Sequence, residues 1–517
     1  MKMFHCPTRL HKNASNFQES VSPLTMLLLC ALILNSCGAG TASTDTTAAT
    51  DTVETTAPID PATVCDLPEM DWGGEEFHVM GFENTTNTQF STFEVWVESE
   101  NGEVVNDAIY RRNVAVEERY NVKIRETKVS TANNNNASIN EMRQLALAGD
   151  DIYDLSYVGS EIIGTAAREG LFYDLNEQDY LDFTKEWWNP EVNERLEVAG
   201  RLFFTNSDFT LRDKNRAYVL AFNKHLVEEY KLDNYFDAVR DGKWTLDMMK
   251  KGCVAVANDL NGNGEVNYDD TFGIVMDSFN GGWALATGCG VRTLANKDNS
   301  YEIVINNEHT VDVIDKVLSI TAVDHLGSAC DEWNGKSIPE TWSSYWSFSS
   351  QTFYQGRALF ATVFPHSLVH LSANCVDDYG ILPFPKYDEA QENYINLADR
   401  YAMLVGIPST TPTPEFSAFM LEALSAEART TSLPAYIEVS CKTKYTYDEN
   451  SAEMLDIIFG NLYYETALIY SISGLKTIVY DAMKAKANNF ASSYASIESS
   501  AKADLDKLVE DILAVGE

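Results

Sequence analysis

The chain has little positive charge. Of 517 residues, 38 are Lys or Arg and 77 are Asp or Glu, a formal net charge of −39. That excess of acid excludes a nucleic-acid binder, which must neutralise phosphates with Lys and Arg, and a protein held on anionic lipid by a basic patch. It leaves room for a small anionic solute, because one local Arg can override the global field. Long apolar runs are scarce as well: Leu24–Leu34 (LTMLLLCALIL) is too short to span a bilayer stably. Beyond Cys6, Cys30 and Cys37, six cysteines remain (Cys65, Cys253, Cys289, Cys330, Cys375, Cys441), and none stands in a CxxC pair, which argues against a zinc ribbon. The catalytic signatures G-x-S-x-G, P-loop and H-E-x-x-H and the dinucleotide glycine fingerprint are absent. His366 and His370 stand at i, i+4 with no Glu after His366, so they read as packing or surface residues rather than zinc ligands. Carboxylates are too numerous for a glycosidase pair to be singled out. What is present is the material of a core: 45% apolar residues and 11% aromatics, with nine Trp and 25 Tyr. At roughly 150 residues per domain, the length implies two to four domains or lobes.

The N-terminus carries the compartment signal. Lys2, Arg9 and Lys12 precede the apolar run, which ends in Leu34-Asn35-Ser36-Cys37. A basic start, a short apolar core and then Cys is the pattern of a bacterial lipoprotein signal, with Asn35 bulkier than is usual there. Residues 1–36 are therefore expected to be a signal peptide and Cys37 the lipidated residue. Residues 37–64 are rich in Thr, Ala and Asp without apolar periodicity, and are expected to be a disordered tether.

From residue 65 the pattern alternates. Glu76–Met80 reads as a strand ending at Gly81, Asn106 as the cap of a helix through Tyr120, and Val122–Ile124 as a second strand. Ser138–Glu141 reads as a capping box for a helix closing at Gly149, and Ile152–Val158 as a third strand before Gly159-Ser160-Glu161. This β-α-β-α-β start predicts a doubly wound sheet, with ligand beyond the C-terminal strand ends, near Phe82–Asn84 and Gly159–Glu161. Ala217–Phe222 reads as a buried strand and Thr245 as a helix cap. Strands at Phe272–Met276, Ile303–Ile305, Leu359–Val363, Tyr379–Leu382 and Met403–Ile407, with helices over 311–324, 414–427, 451–460 and 495–514, predict a second α/β lobe. The boundaries expected are about 70–220 plus part of the C-terminal half for one lobe, and about 240–410 plus the C-terminal helices for the other.

Two local signals point to ligands. Asp259-Leu260-Asn261-Gly262-Asn263-Gly264-Glu265-Val266-Asn267-Tyr268-Asp269-Asp270 matches a calcium loop. Asp259, Asn261, Asn263, the Glu265 carbonyl, Asn267 and Asp270 would be the ligands, with the shorter Asp270 in place of the usual Glu. The expected role is a structural Ca²⁺. The competing reading is an Asn/Gly-rich turn. The second signal is aromatic: Trp187-Trp188, Trp283, Trp333, Trp342, Tyr345 and Trp346 stand in loop or helix-start contexts. Sugar rings stack their C–H faces on such side chains. The competing reading is core, particularly for Trp342 and Trp346 at i, i+4.

Several stretches carry a family likeness. They are Gly102–Asn113 (GEVVNDAIYRRN), Val116–Val122 (VEERYNV), Ala148–Asp154 (AGDDIYD), Gly242–Thr245 (GKWT), Gly356–Phe360 (GRALF) and Ile381–Lys386 (ILPFPK) followed by Tyr394. In this order on one lipidated chain, the sequence resembles the extracellular solute-binding lipoproteins of ABC importers, of the sugar-type family 1, over most of residues 70–480. The resemblance implies a two-lobed α/β periplasmic-binding-protein-like fold, crossing strands, and a cleft that closes on solute and presents both lobes to an ABC permease. It implies a non-enzymatic, monomeric, lipid-anchored protein on the extracytoplasmic face, with a carbohydrate solute. By position and chemistry the ligand contacts expected are Glu83, Ser160, Glu161, Trp188, Trp283, Trp342, Trp346 and Arg400, the last preceding a strand expected to enter the second lobe. Two other readings stay open: a surface glycan hydrolase, and a binder or sensor for peptide or another non-sugar solute.

Overall fold

The structure is a computed structural model that describes residues 60–132, 136–297, 300–445 and 448–516. The expected signal peptide, Cys37 and most of the tether lie outside the described residues. The tether's last residues are docked: the Pro61 carbonyl accepts from Lys185 Nζ at 3.1 Å.

The first sheet contains β1 (Glu75–Asn84), β2 (Val122–Thr131) and β3 (Leu155–Gly159). The second contains β4 (Val219–Asn223), β5 (Phe272–Met276), β6 (Gly327–Ala329), β7 (Ala358–Val363) and β8 (Tyr379–Leu382), and the last strand, β9 (Met403–Gly406), returns to the first. The orders are β9-β3-β1-β2 and β8-β4-β7-β5-β6. In the first sheet β1, β2 and β3 run parallel and β9 antiparallel to β3; in the second β5, β6 and β7 run parallel, and β4 antiparallel to both β7 and β8. The helices α1 (Val104–Tyr120) and α2 (Ala137–Ala148) connect the first three strands, and α3 (Ser160–Arg168) follows β3, as a parallel sheet requires.

The second-sheet strands are apolar end to end because both faces are covered. Period-two alternation sends Leu220, Phe222, Ile274, Met276, Phe360 and Leu382 into one core and Val219, Ala221, Val275, Ala361 and Ile381 into the other.

Several local expectations shift for physical reasons. β1 does not stop at Gly81 but runs through it, because Glu126 and Thr92 pack where a Cβ would stand. Glu103, not Asn106, caps α1, its carboxylate accepting from the Asn106 N–H at 2.9 Å. Ser138 lies inside α2, which starts after Asn136 and closes at Gly149 with φ +72°, as expected. Phe272–Met276 and Tyr379–Leu382 stand as read, and Thr245 caps the helix Leu246–Val256.

The larger difference is the crossing. The strand read at Ala217–Phe222, placed at the end of the first lobe, belongs to the second sheet, and the strand read at Met403–Ile407 belongs to the first. The chain therefore crosses between lobes near residue 216 and back near residue 400. The two crossing segments pair antiparallel at Ala217 and Ala398. The N–H of Tyr218 donates to the Leu397 carbonyl, and that of Asp399 to the Arg216 carbonyl, each at 2.9 Å. Local patterning names strands but not their sheets, so the exchange was invisible to it. The C-terminal helices touch both lobes: Thr466–Ile469 and Phe490–Ala514 pack on α3, and Ile478–Ala485 packs on Phe279–Gly288.

Candidate functional site

The topology fixes where a ligand would sit. Because β1, β2 and β3 are parallel and β9 pairs Met403 with Gly159, the returning crossing enters the first sheet at its C-terminal edge. Because β4 pairs Val219 with Val363, the outgoing crossing enters the second sheet beside the C-terminal ends of β5, β6 and β7. Both sheets thus turn toward the hinge the edge at which open α/β sheets bind ligands.

At the hinge, Arg216 and Asp399 form a buried ion pair, with Arg216 Nε donating at 2.9 Å. The Arg216 guanidinium also lies 4.1 Å from the ring centre of Phe364, 5.0 Å from Phe90 and 5.7 Å from Tyr401. Phe364 comes from the second lobe, Phe90 from the first and Tyr401 from the crossing, so one cation ties three parts of the molecule together. His366 stacks on Phe364; burial, then Arg216 and Arg212, drive its pKa well below the usual imidazole range, so it is neutral.

The first-lobe wall is a pocket of about 400 Å³, counting its open mouth, lined by Phe82, Phe90, Glu161, Ile162, Arg400 and Tyr401, among others. Phe90 and Tyr401 meet at 4.8 Å between ring centres. Ser160 Oγ donates to the Arg400 carbonyl at 3.0 Å, and the Ser160 N–H to that of Ala402 at 2.8 Å, so the start of α3 holds the crossing in place. Glu161 Oε2 and Arg400 Nε stand 3.8 Å apart.

On the second-lobe side, Asp277 directly follows β5. Its carboxylate accepts from Thr362 Oγ1 at 2.8 Å and from Tyr218 Oη and Ser278 Oγ at 3.2 Å each. Burial, reinforced by the Asp399 carboxylate, raises its pKa to about 6. Asp331, after β6, accepts from the Phe279 N–H at 2.9 Å. The Tyr480 phenol is raised by burial and by Asp331 and lowered by Arg400, so it stands between the two lobes' charges. Phe279 meets Tyr480 edge-on at 6.1 Å.

The expected contacts separate into three groups. Ser160, Glu161 and Arg400 come together at the cleft. Glu83 lies near the end of β1, its carboxylate accepting from Ser130 of β2. Trp346 is 55% exposed and pairs with Tyr345 at 4.7 Å, on the segment that packs against Cys330–Trp333 beside Asp331. Trp188, Trp283 and Trp342 are instead buried, at 4%, 6% and 7% exposure. The indole N–H groups of Trp187 and Trp188 both donate to Glu422, at 3.0 Å, inside the first lobe. That environment lifts the Glu422 carboxyl to about 7, chiefly by burial. Trp342 packs in the second core against Tyr268 and Phe348, and Trp283 within its helix. Missed were Phe90, Tyr401, Tyr480 and Asp277. Asp277 was findable: the strand-end rule applied to β1 and β3 applies equally to β5.

In the loop 259–270, Gly262 and Gly264 have φ +69° and +79°. Asp259 accepts from their N–H groups at 2.8 and 2.7 Å, chiefly the Gly264 contact holding its pKa below the usual range. Asn263 Oδ1 accepts from Glu265 N–H at 2.8 Å. Buried Asp270 accepts from Leu260 and Asn267 N–H and from His325 Nε2 at 3.1 Å. Among the described residues no three His, Cys, Asp or Glu side chains cluster around a point that could hold a metal. A Ca²⁺ here would rest on Asn side chains and the Glu265 carbonyl as much as on carboxylates.

No protein-family model matches the chain, and no curated protein matches it. Solved structures do. UspC of M. tuberculosis aligns at 11% identity and TM-score 0.53, over 83% of this chain and 100% of that one. A cyclo/maltodextrin-binding protein complexed with maltotetraose aligns at 12% and 0.51, over 85% and 97%. The GacH receptor of Streptomyces glaucescens, solved free and with acarbose, aligns at 9% and 0.51, over 85% and 99%. The chain has the two-lobed fold of the sugar-type ABC substrate-binding proteins.

Proposed function

We propose that this protein is the solute receptor of an ABC importer, anchored through lipid on Cys37 at the extracytoplasmic face, that captures an oligosaccharide between its lobes and delivers it to a permease. The observation that carries the reading is the hinge: two sheets turn their C-terminal edges toward it, lined by Phe90, Tyr401 and Tyr480 with Glu161, Arg400 and Asp277 among them. Aromatic faces beside carboxylates and a guanidinium are what a sugar ring and its hydroxyls ask for. Two similarly folded proteins crystallised with maltotetraose and acarbose favour the same solute class. Closure about the paired crossings would bury the solute and bring both lobes to the permease.

The test is a thermal-shift and calorimetric screen of residues 60–517 against neutral oligosaccharides, with chromatography of the mixtures. A saturable shift without products supports the receptor; released products would mean a hydrolase; response to peptides alone would mean a different solute. The loop 259–270 is assigned a structural Ca²⁺ in the same proposal. Calcium should raise the melting temperature saturably and Asp259→Asn should abolish the rise; a wild-type temperature indifferent to calcium and EGTA would remove the metal.

A further inference from the structure

Glu161 and Arg400 are an ion pair that is not closed. Glu161 Oε2 and Arg400 Nε are each shut off from water with no hydrogen-bond partner, and their 3.8 Å separation exceeds hydrogen-bond distance. Their geometry is imposed by the backbone. The Glu161 N–H donates to the Arg400 carbonyl at 3.3 Å, Ser160 Oγ grips the same carbonyl, and Arg400 Nη2 is held by Tyr401 Oη at 2.8 Å. A buried acceptor and a buried donor left facing each other unmade cost stability, and a native fold keeps such groups where something else completes them. Both side chains are about one-third exposed and line the cleft pocket with Phe90 and Tyr401.

Resting on the receptor reading above, we propose that Glu161 and Arg400 form a single hydroxyl-reading subsite that selects a neutral solute. A hydroxyl is both donor and acceptor, so one hydroxyl can donate to Glu161 Oε2 and accept from Arg400 Nε, its oxygen within hydrogen-bond reach of both atoms after a small rotation of either side chain. A carboxylate at this position meets Arg400 but is repelled by Glu161, and an ammonium meets Glu161 but is repelled by Arg400. The charge-balanced pair therefore favours a neutral polyol over either ion. The neighbouring hinge pair Arg216–Asp399 is balanced as well, and Asp277 and Asp331 across the cleft add only negative charge, which turns anionic sugars away further.

The test measures affinity by calorimetry for maltotetraose, cellotetraose, xylotetraose, mannotetraose and the anionic tetragalacturonate, on the wild type and on Glu161→Gln, Arg400→Gln and the double variant, with melting curves to confirm folding. The expected result is that the wild type binds a neutral member and not tetragalacturonate. Each single variant should weaken the neutral ligand about 10- to 100-fold, as loss of a hydrogen bond to a charged group does. The double variant should lose far less than the product of the two, because one hydroxyl serves both residues. Glu161→Gln alone should narrow the gap to tetragalacturonate, which a purely structural role would not do. Arg400→Lys serves in place of Arg400→Gln should that variant not fold. Variants that bind a neutral tetrasaccharide within twofold of wild type would overturn the subsite and leave the receptor reading standing. Wild-type preference for tetragalacturonate would overturn the neutrality. No binding by any glycan would overturn the carbohydrate reading and the subsite with it.

Discussion

Asp277 offers the sharpest quantitative test, because its carboxylate is held at a cost. Its pKa is raised from an ordinary 3.8 to about 6, mainly by burial and then by Asp399. At about 1.4 kcal/mol per pKa unit, the shift corresponds to about 3 kcal/mol, reduced to about 2 kcal/mol by the solvent at its exposed edge. The sign follows from where the proton binds more tightly. The folded state holds it more strongly, so this group's stabilising contribution is complete below pH 3.8 and is lost as pH rises through 6. Asp277→Asn keeps the shape and removes the charge. The hydroxyls of Tyr218, Thr362 and Ser278 can each rotate to accept as well as donate, so the amide finds partners. The variant should match wild type near pH 4 and be more stable by about 2 kcal/mol at pH 8, a rise of about 2 °C for a chain of this length. Calorimetric melting from pH 4 to 8 measures it. An offset constant across that range, or a variant less stable at pH 8, would refute the reasoning. If the carboxylate takes a solute hydroxyl, the same substitution should weaken binding while stabilising the fold, the trade expected where a site is kept under strain.

Further substitutions probe the rest of the framework. Arg216→Leu leaves Asp399 buried without its counter-ion and should cost about 3–5 kcal/mol in urea unfolding. A loss below about 1 kcal/mol would mean that the hinge pair is solvated. Trp346→Ala should reduce glycan affinity with the melting temperature unchanged, since the indole is exposed beside the cleft, whereas Trp188→Phe should lower stability by about 1 kcal/mol and leave affinity alone, since its N–H is spent on Glu422. The reverse pattern would exchange their roles. Gly164→Ala should destabilise by about 1–3 kcal/mol, because a Cβ there would come within 2.8 Å of Tyr470 Cα where α3 meets Thr466–Ile469; an unchanged melting curve would mean that this contact yields freely.

The sequence carried the lobe architecture because the elements that define it are locally coded. The apolar runs Phe272–Met276 and Tyr379–Leu382 are strands buried on both faces, and Thr245 and Gly149 mark helix ends by their own chemistry. What it did not carry is non-local. Nothing in Val219–Asn223 or Met403–Gly406 says which sheet each joins; that is decided by the pairing of Ala217 with Ala398. The site divides along the same line. Ser160, Glu161 and Arg400 were legible because two follow a strand end and one sits at a crossing. Trp188, Trp283 and Trp342 misled because an indole that fills a core and one that stacks on a sugar have the same neighbours in sequence. Only the fold shows whether the ring's faces are already taken.

The hinge joins these strands of the argument. A receptor must hold its lobes together yet let them rotate, so the crossing needs strong contacts that survive a change of angle. Arg216 is suited to this: its ion pair with Asp399 lies within the crossing itself, and its guanidinium faces Phe364 of one lobe and Phe90 of the other through contacts that tolerate sliding. The polar groups left short of partners, Glu161 Oε2 and Arg400 Nε, stand one step farther into the cleft. Stability is thus concentrated at the axis and the unmet hydrogen bonds at the mouth. Closure on a solute would then draw its driving force from the groups the free protein leaves unpaired, and only a ligand able to complete them would shift the lobes toward the closed state.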